Sequence, residues 1–530
     1  FKQKTAYEML RSLVGSEMCI RDRLSAGQGG ARPHVRRPKR HDRDGGFRKE
    51  VLGMALRTAE EYRASLRDGR RVYLMGRRVD DVTTHPILKE AVETVAQDFV
   101  LAESEDPRIR EVFVAQDEQT RQPISRFFKT PASAEDLERR SEMIALSIRL
   151  TGGLPFGKDI GTDCLNAIRS VAGTLGGAYR ERAEEYLRHV KQTDPAMCGA
   201  VTDAKGDRSK PPSQQRHPDY YVHVVDKQKD GIVVKGCKLH ITSAPVANEI
   251  VVLPTRQMRE DEADYAVSFA VPANAPGITM ICRPGRGERT EYEFPGGLPI
   301  RPLSEAMIVF DNVFVPWERV FMCGQWQMSM MLAYTFATFH RFTAISYKIP
   351  VVELMAGCGV AMAEANGLRH AGHIRGKLAE LAAYVETLKA LARAAARDPV
   401  LSDGIAVPNP LITNMAKLHF AENYHAFVQR IQDIAGGIIT TAPTYKDWTN
   451  PDTRAYMEHY LGGSERYTTQ ERLQLIELTH RFIASAEAAH MEVTTVHAEG
   501  SMEAQKMMIL MEAPLDEYLH AAERLAGITR

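Results

Sequence analysis

The sequence has no excess of either charge, since Lys plus Arg and Asp plus Glu number 68 each among 530 residues. With no surplus charge to attract nucleic acid or an anionic membrane, a small molecule is the expected partner. No uncharged apolar run reaches 18 residues, so the sequence predicts no transmembrane helix. The G-x-G-x-x-G pattern that opens a nicotinamide-binding βα unit is also missing, so no nicotinamide site is predicted.

Cysteine is scarce as well. The seven cysteines are odd in number, scattered along the chain and never spaced C-x-x-C. This pattern predicts neither a disulfide framework nor a zinc ribbon, and no metal site is expected. A reducing cytoplasm is the location that fits it.

The first 53 residues differ from the rest. Between residues 27 and 48 the sequence is rich in Arg, Gly and His and has no sustained periodicity, whereas a helical pattern begins near Thr58. We interpret 1–53 as a non-native or disordered extension. A transit peptide is the alternative, although its acidic residues Asp42, Asp44 and Glu50 count against it.

Hydrophobic periodicity divides the remaining chain into three parts. Residues 54–195 and 325–530 show the three- and four-residue spacing of helices, for example over 134–151. The long helical segments after 325, such as 469–499 and 502–526, are typical of a bundle. Residues 196–324 alternate as strands do, and Asp230-Gly231 between two such runs predicts a tight hairpin. The sequence therefore predicts an α+β protein: an N-terminal helical domain, a central β domain (barrel or sandwich) and a C-terminal helical bundle.

Five segments carry a resemblance to known proteins: 200–208, 238–245, 303–321, 428–437 and 497–505. Together they resemble the family that joins 4-hydroxyphenylacetate 3-hydroxylases to 4-hydroxybutyryl-CoA dehydratases, within the acyl-CoA-dehydrogenase-like superfamily. The match runs from about residue 58 to the C-terminus and is closer overall to the dehydratase branch. The resemblance implies an acyl-CoA-dehydrogenase-like fold.

The resemblance also implies that the chain binds FAD. Thr242 would lie against the flavin ring, where a hydroxyl tunes flavin electronics. The other residues implied as flavin contacts are Ala200, Val201, Lys205, Gly206, Asp207 and Arg208 in the first loop, Gln432, Gly436 and Gly437 for a neighbouring subunit's FAD, and Gly500 and Ser501 at a helix start. Simpler structural interpretations stay open: a surface turn for the loop, β propensity for Thr242, and a Gly-Gly helix end.

Three residues match catalytic positions of the dehydratase branch: Glu305, His340 and Lys348. Glu305 would act as a general base or orient a substrate hydroxyl, and His340 would donate or accept a proton near neutral pH. A solvated surface charge is the alternative for Glu305. A packed core histidine is the alternative for His340.

The chain departs from the dehydratase branch where that branch binds a 4Fe-4S cluster through three cysteines and one histidine. The histidine is matched by His340, but the cysteine positions hold Pro155, Asp159 and Tyr347. Because these side chains cannot replace thiolates around iron, no cluster is expected.

The chain departs from the hydroxylase branch too. The Arg, Tyr and His that hold the substrate phenolate in that branch are replaced by Ile160, Cys164 and Gly199. A phenolate would find no charged partner among these residues, so 4-hydroxyphenylacetate itself is not the expected substrate.

These observations predict the FADH2-using oxygenase component of a two-component monooxygenase, which hydroxylates an aromatic or related small molecule and receives FADH2 from a separate flavin reductase. The first alternative is a flavin-dependent hydroxyacyl-CoA dehydratase or isomerase. The second is a flavin-binding relative without activity. The family resemblance further implies a homotetramer.

Overall fold

The computed structural model describes residues 56–153, 156–284, 293, 294 and 304–528. The predicted extension at 1–53 lies outside these residues, as does Pro155.

Helices dominate the N-terminal region: α1 Ala59–Ser65, α2 Leu88–Ala102, α3 Pro107–Phe113, α4 Ala134–Thr151, α5 Asp159–Leu175 and α6 Gly177–Thr193. Local sequence explains several of their ends. Thr58 and Glu61 form a capping box at the start of α1, and the Ser133 side chain accepts a hydrogen bond from the Asp136 backbone N–H at the start of α4. Helix α4 ends at Gly152, whose φ of +66° is a conformation that glycine adopts without strain.

Most strands follow α6: β5 Met197–Ala200, β6 His223–Lys227, β7 Gly231–Thr242, β8 Glu249–Val252, β9 Val267–Pro272, β10 Ile278–Arg283, β11 Glu305–Pro316 and β12 Val320–Cys323. The N-terminal region contributes short strands as well: β1 Val72–Leu74, β2 Arg77–Val79, β3 Val114–Gln116 and β4 Pro123–Ser125.

Within the described residues these strands form two main sheets. One has the order β2-β1-β10-β11-β7-β6 and the other β12-β9-β8-β5. Strands β6 and β7 are antiparallel neighbours joined by residues 228–230, and Gly231 begins β7, which confirms the predicted hairpin. The sheets enclose an apolar core, in which Phe269 of one sheet meets Phe310 of the other edge-on at 5.8 Å.

The C-terminal region is a helical bundle: α7 Ser329–Ala365, α8 Gly372–Arg397, α9 Pro410–Ala435, α10 Ile438–Thr441, α11 Tyr445–Thr449, α12 Pro451–Tyr460, α13 Thr469–Ile483, α14 Ala486–His497, α15 Met502–Glu512 and α16 Leu515–Leu525, with a small hairpin of β13 Val400–Ser402 and β14 Ile405–Val407. The predicted α+β fold class, with helices, then a β region, then a bundle, is confirmed.

Helix α7 is the central element of the bundle. It packs against α4, α5, α8, α9 and α13, so it joins the N-terminal helices to the bundle. By length and composition, residues 326–365 could cross a membrane, but 67% of the most apolar stretch is buried inside the protein. Such burial is typical of a core helix.

Candidate functional site

The loop 200–208 leaves β5 and runs beside β7. Lys238 of β7 anchors it, because its ammonium lies 2.8 Å from the Asp203 carboxylate and donates to the Val201 carbonyl oxygen at 2.7 Å. Ala200, Asp203 and Lys238 are all buried. Sequence reasoning had not singled out Asp203 or Lys238, although they fix the predicted flavin loop in place.

The second half of this loop faces solvent. Gly206 has a φ of +54°, and a Cβ there would lie 2.3 Å from the ring of Tyr220, so only glycine fits. Burial and the nearby Arg208 cation lower the pKa of Lys205. Asp207 is exposed, and its carboxylate accepts hydrogen bonds from within its own turn. Lys205 and Arg208 thus form a pair of cations at the edge of the β region.

Thr242 and Glu305 face each other where β7 ends and β11 begins. They are directly opposite on antiparallel strands, and the Thr242 hydroxyl donates to Glu305 Oε1 at 2.9 Å. Burial raises the pKa of Glu305 to about 7, and the Thr242 hydrogen bond opposes this rise because it favours the ionised form. A carboxyl that titrates near neutral pH is suited to general acid–base chemistry.

The backbone around this pair is irregular. His240 and Ser243 both have positive φ, at +59° and +61°. The Ser243 N–H donates to the Ser304 carbonyl oxygen at 2.7 Å, while the Ser304 hydroxyl is buried and has no hydrogen-bond partner in the described part of the chain. Within the described residues, the buried Ser304 hydroxyl beside Glu305 is therefore available to hydrogen-bond a polar ligand at this strand end.

Two predicted catalytic residues lie on α7, and a residue that sequence reasoning missed joins their neighbourhood. Glu499 accepts hydrogen bonds from Lys348 Nζ on Oε2 and from the Tyr347 hydroxyl on Oε1, each at 2.6 Å. Burial alone would raise the pKa of Glu499, but the nearby cations lower it to about 2, with Lys348 the strongest. Glu499 is therefore a buried carboxylate held between the phenol of Tyr347 and the side-chain nitrogen of Lys348.

Tyr347 connects this group to the strand end. Burial raises the pKa of its hydroxyl well above the ordinary value, and the charges of Glu499, Asp159 and Glu305 add to the rise. The ring of Tyr347 also packs edge-on against Phe156 at 4.8 Å. The structure thus brings Glu305, Tyr347 and Lys348 into one electrostatic neighbourhood.

His340 belongs to a neighbouring buried network. Its Nδ1 lies 3.3 Å from Asp163 Oδ2, and the other oxygen of Asp163 accepts from Arg140 and Thr343 at 2.8 and 2.9 Å. The imidazole stacks on Phe336 with ring centroids 5.0 Å apart. The Asp163 carboxylate fixes the orientation of the imidazole.

Gly500 and Ser501 follow Glu499 directly. The Ser501 side chain caps α15 by accepting from the Ala504 N–H, as the resemblance implied for a helix start. Gly500 has a φ of +100°, and a Cβ there would lie 2.7 Å from Arg341 Nη2. The close approach of Arg341, which donates to the Glu499 carbonyl oxygen at 2.8 Å, explains the glycine.

Gln432, Gly436 and Gly437 lie at the C-terminal end of α9. Gly436 ends the helix with a φ of +75°, and both glycines are exposed with no atom within 4 Å of an added Cβ. Gln432 Nε2 donates to the Ile483 carbonyl oxygen at 3.1 Å. None of the described hydrogen bonds links these three residues to Thr242 or Glu499, so within one chain they form a separate, solvent-facing group.

The three positions that depart from the hydroxylase branch meet one another. A Cβ on Gly199 would lie 2.8 Å from both Cys164 Sγ and Ile160 Cγ2. Burial raises the pKa of the Cys164 thiol well above its ordinary value, so the thiol stays neutral. This corner of the fold is apolar, tightly packed and unsuited to a phenolate.

A groove of about 540 Å³ lies elsewhere, along α3 and β3, and has Arg110, Arg121, Arg126, Glu111 and Glu118 in its lining. It contains none of the residues named above. The convergence of titratable groups, and not the size of a cavity, locates the candidate site.

The architecture defines a class of protein: an N-terminal helical region, a two-sheet β region and a helical bundle, with titratable groups gathered where a β-strand end meets the bundle. The family model described as 4-hydroxyphenylacetate 3-hydroxylase N terminal matches residues 58–322, and the C terminal model matches residues 329–527. The chain belongs to the 4-hydroxyphenylacetate 3-hydroxylase family.

Individual relatives fall into both branches of the predicted resemblance. The chain is 30% identical to 4-hydroxybutyryl-CoA dehydratase/vinylacetyl-CoA-Delta-isomerase of Clostridium aminobutyricum, over 89% of this chain and 100% of that protein. The solved archaeal 4-hydroxybutyryl-CoA dehydratase from N. maritimus is similar with a TM-score of 0.81 at 29% identity, over 90% and 96% of the two chains. The oxygenase component of 4-hydroxyphenylacetate 3-monooxygenase complexed with FAD gives a TM-score of 0.78 at 25% identity, over 89% and 99%.

Proposed function

We propose that the chain is the oxygenase component of a two-component flavin monooxygenase, which binds FAD in its reduced form. The similar oxygenase component was solved with FAD, and three local features here fit such a ligand: the anchored loop 200–208, the Thr242–Glu305 pair and the leftover Ser304 hydroxyl. A separate flavin reductase would supply the reduced cofactor.

The residues have distinct roles in this proposal. Lys205 and Arg208 would attract the pyrophosphate, and Thr242 would contact the ring edge. Reduced FAD supplies the two electrons with which dioxygen gives one oxygen atom to the substrate and the other to water. Glu305, whose pKa is about 7, would hold or release a proton beside the reacting atoms.

One observation favours the hydroxylase branch. Tyr347, at the position of a cluster cysteine, uses its hydroxyl to donate to Glu499 at 2.6 Å. A protonated phenol committed to a carboxylate does not fit iron ligation, and Asp159 offers a carboxyl, not a thiolate. The residues therefore do not fit a 4Fe-4S cluster, and a monooxygenase reaction needs none.

A flavin-dependent hydroxyacyl-CoA dehydratase or isomerase is the second candidate. It is favoured by the buried Lys348–Glu499 pair together with His340 and Glu305, and by the 30% identity to the Clostridium enzyme. This candidate would have to work with the flavin and side-chain acids and bases, without an iron–sulfur cluster.

The two candidates differ in their use of oxygen. The purified chain, given reduced FAD by a chemical reductant, is mixed with 4-hydroxyphenylacetate or 4-nitrophenol under ¹⁸O₂, and in a parallel anaerobic sample with 4-hydroxybutyryl-CoA. The proposal expects a hydroxylated aromatic product that carries one ¹⁸O atom. Anaerobic conversion of the acyl-CoA without any ¹⁸O product would overturn it.

We also propose that copies of the chain assemble, as a homotetramer in a cytoplasmic setting. Helix α16 has no buried residue, and Leu515, Tyr518, Leu519 and Leu525 are exposed on it. Exposed apolar patches of this kind typically mark a contact surface. Light scattering at micromolar concentration tests it, because Leu519→Glu with Leu525→Glu should reduce the particle mass.

A further inference from the structure

Two lysines from different helices share one oxygen of Glu499. Lys348 Nζ of α7 lies 2.6 Å from Glu499 Oε2, and Lys417 Nζ of α9 lies 3.4 Å from the same atom. The three side chains are at most 2% exposed. Two buried ammonium groups facing one carboxylate oxygen carry more positive charge than that carboxylate balances, so one of them loses a proton more readily than a lysine in water does.

Lys417 is the better fixed of the two. It also donates to the carbonyl oxygens of Thr495 and Val496, each at 2.9 Å. These carbonyls belong to the last turn of α14, where the helix dipole favours a cation. With Glu499, they provide three acceptors for the three N–H groups of an ammonium. This arrangement holds Lys417 in its charged form.

Lys348 has a poorer environment for charge. Within the described residues its recorded acceptor is Glu499, and its other close neighbours are the aromatic faces of Tyr347 at 4.7 Å and Phe420 at 5.3 Å. Burial lowers the pKa of Lys348 to about 7; Glu499 opposes this change and the Lys417 cation adds to it. Burial also lowers the pKa of Lys417. Because its three acceptors stabilise the ammonium form of Lys417, we assign the loss of a proton to Lys348.

The other ionisable groups around the pair do not change this assignment. Arg341 adds a further cation beside Lys417, and His340 acts on Glu499 from the same helix as Lys348. The carboxyls of Asp159 and Glu305 act on Tyr347, the other hydrogen-bond donor to Glu499. Asp163, which contacts His340, is itself paired with Arg140.

We propose that Lys417 is a positioning residue whose fixed charge, held on the end of α14, keeps Lys348 able to exchange a proton during turnover, in addition to Glu305. This role of Lys348 in turnover rests on the proposed function. The neutral amine of Lys348 takes the proton of a substrate hydroxyl and becomes an ammonium, while the hydroxyl oxygen keeps the electron pair as an oxyanion. When product forms, the proton returns to oxygen.

The test needs neither flavin nor substrate. Urea unfolding of the full chain without FAD is measured from pH 6 to 10.5 for the wild type and for Lys348→Met, Lys417→Met and Lys417→Arg. A lysine that is neutral when folded takes up a proton on unfolding, so stability rises with pH between its folded and unfolded pKa values. From the slopes we expect the wild type to take up about one proton more than Lys348→Met near pH 8.5.

The Lys417 variants separate a charge effect from a packing effect. Lys417→Arg keeps the cation, so the extra proton uptake should persist. Lys417→Met removes the cation while Lys348 stays buried, so the pKa of Lys348 should rise and the uptake near pH 8.5 should decrease without disappearing. A purely structural role would lower stability equally at every pH.

Equal slopes in the wild type and Lys348→Met would overturn the proposal, as would loss of the uptake in Lys417→Arg. If Lys417→Met does not fold, the Arg variant alone still decides which lysine titrates. Since the measurement contains no flavin, its outcome is independent of whether the chain hydroxylates anything.

Discussion

Removing the Thr242 hydroxyl should move the titration of Glu305. The Thr242 hydroxyl donates to Glu305 Oε1 at 2.9 Å and stabilises the ionised carboxyl, whose pKa is about 7. A hydrogen bond to a charged group contributes about 1.5 to 3 kcal/mol, which corresponds to about 1 to 2 pH units. We therefore expect Thr242→Val to raise the pKa of Glu305 by about 1 to 2 units, and Thr242→Ser to leave it near 7.

Two assays detect this change. If ionised Glu305 acts as the base, the acidic limb of the kcat/KM profile should move up by the same 1 to 2 units in Thr242→Val. In the chain without flavin, the sign of the pH dependence of stability follows from proton binding. As pH rises, the folded chain keeps the Glu305 proton up to a higher pH than the unfolded chain does. Stability therefore falls as pH rises from the ordinary carboxyl pKa to about 7, by about 3 kcal/mol in total.

In Thr242→Val the fall in stability should continue to a higher pH. In Glu305→Gln the contribution of this carboxyl to the pH dependence of stability should disappear. The reasoning is refuted if Thr242→Val and Thr242→Ser give the same profile as the wild type.

Two further predictions concern Glu499 and Gly500. Glu499→Gln leaves Lys348 and Lys417 buried without their carboxylate, so urea unfolding at pH 7 should show a loss of about 3 to 5 kcal/mol; an unchanged midpoint would contradict the ion-pair geometry. Gly500→Ala places a methyl group 2.7 Å from Arg341 Nη2 at a φ of +100°, so thermal unfolding should show a loss of more than about 1 kcal/mol, whereas Gly437→Ala, which meets no atom within 4 Å, should cost less.

The sequence predicts elements best where the signal is local. Helix α4 occupies the predicted 134–151, because Ser133 caps it and Gly152 ends it. The segments predicted as continuous helices over 469–499 and 502–526 are each broken in two, at Ser485, which caps α14, and at Pro514. Strands β1 and β2 were missed because three residues are too few to show alternation; β1 forms through parallel pairing with β10.

The candidate site was harder to predict than the helices and strands, because the signal for its contacts is not local. Thr242 and Glu305 were singled out by resemblance, and their contact follows from the register of β7 and β11. Glu499 was not singled out, because its partner Lys348 lies 151 residues away. In sequence, a Glu before Gly-Ser at the start of a helix looks the same as a residue at a surface helix cap. Only the fold shows that Glu499 is buried. Lys417 gave no signal either, since a lone lysine in an amphipathic helix is typical of a solvated face.

The central claim is that a flavin is bound beside Thr242 and Glu305. Titration of FAD into the purified, assembled chain, followed by visible absorbance at pH 6 and pH 8.5, tests it most directly. We predict saturable binding of one FAD per chain, with a bound spectrum that changes between the two pH values in the wild type and not in Glu305→Gln. Absence of saturable binding, or a bound spectrum that responds to pH identically in both proteins, would contradict the account.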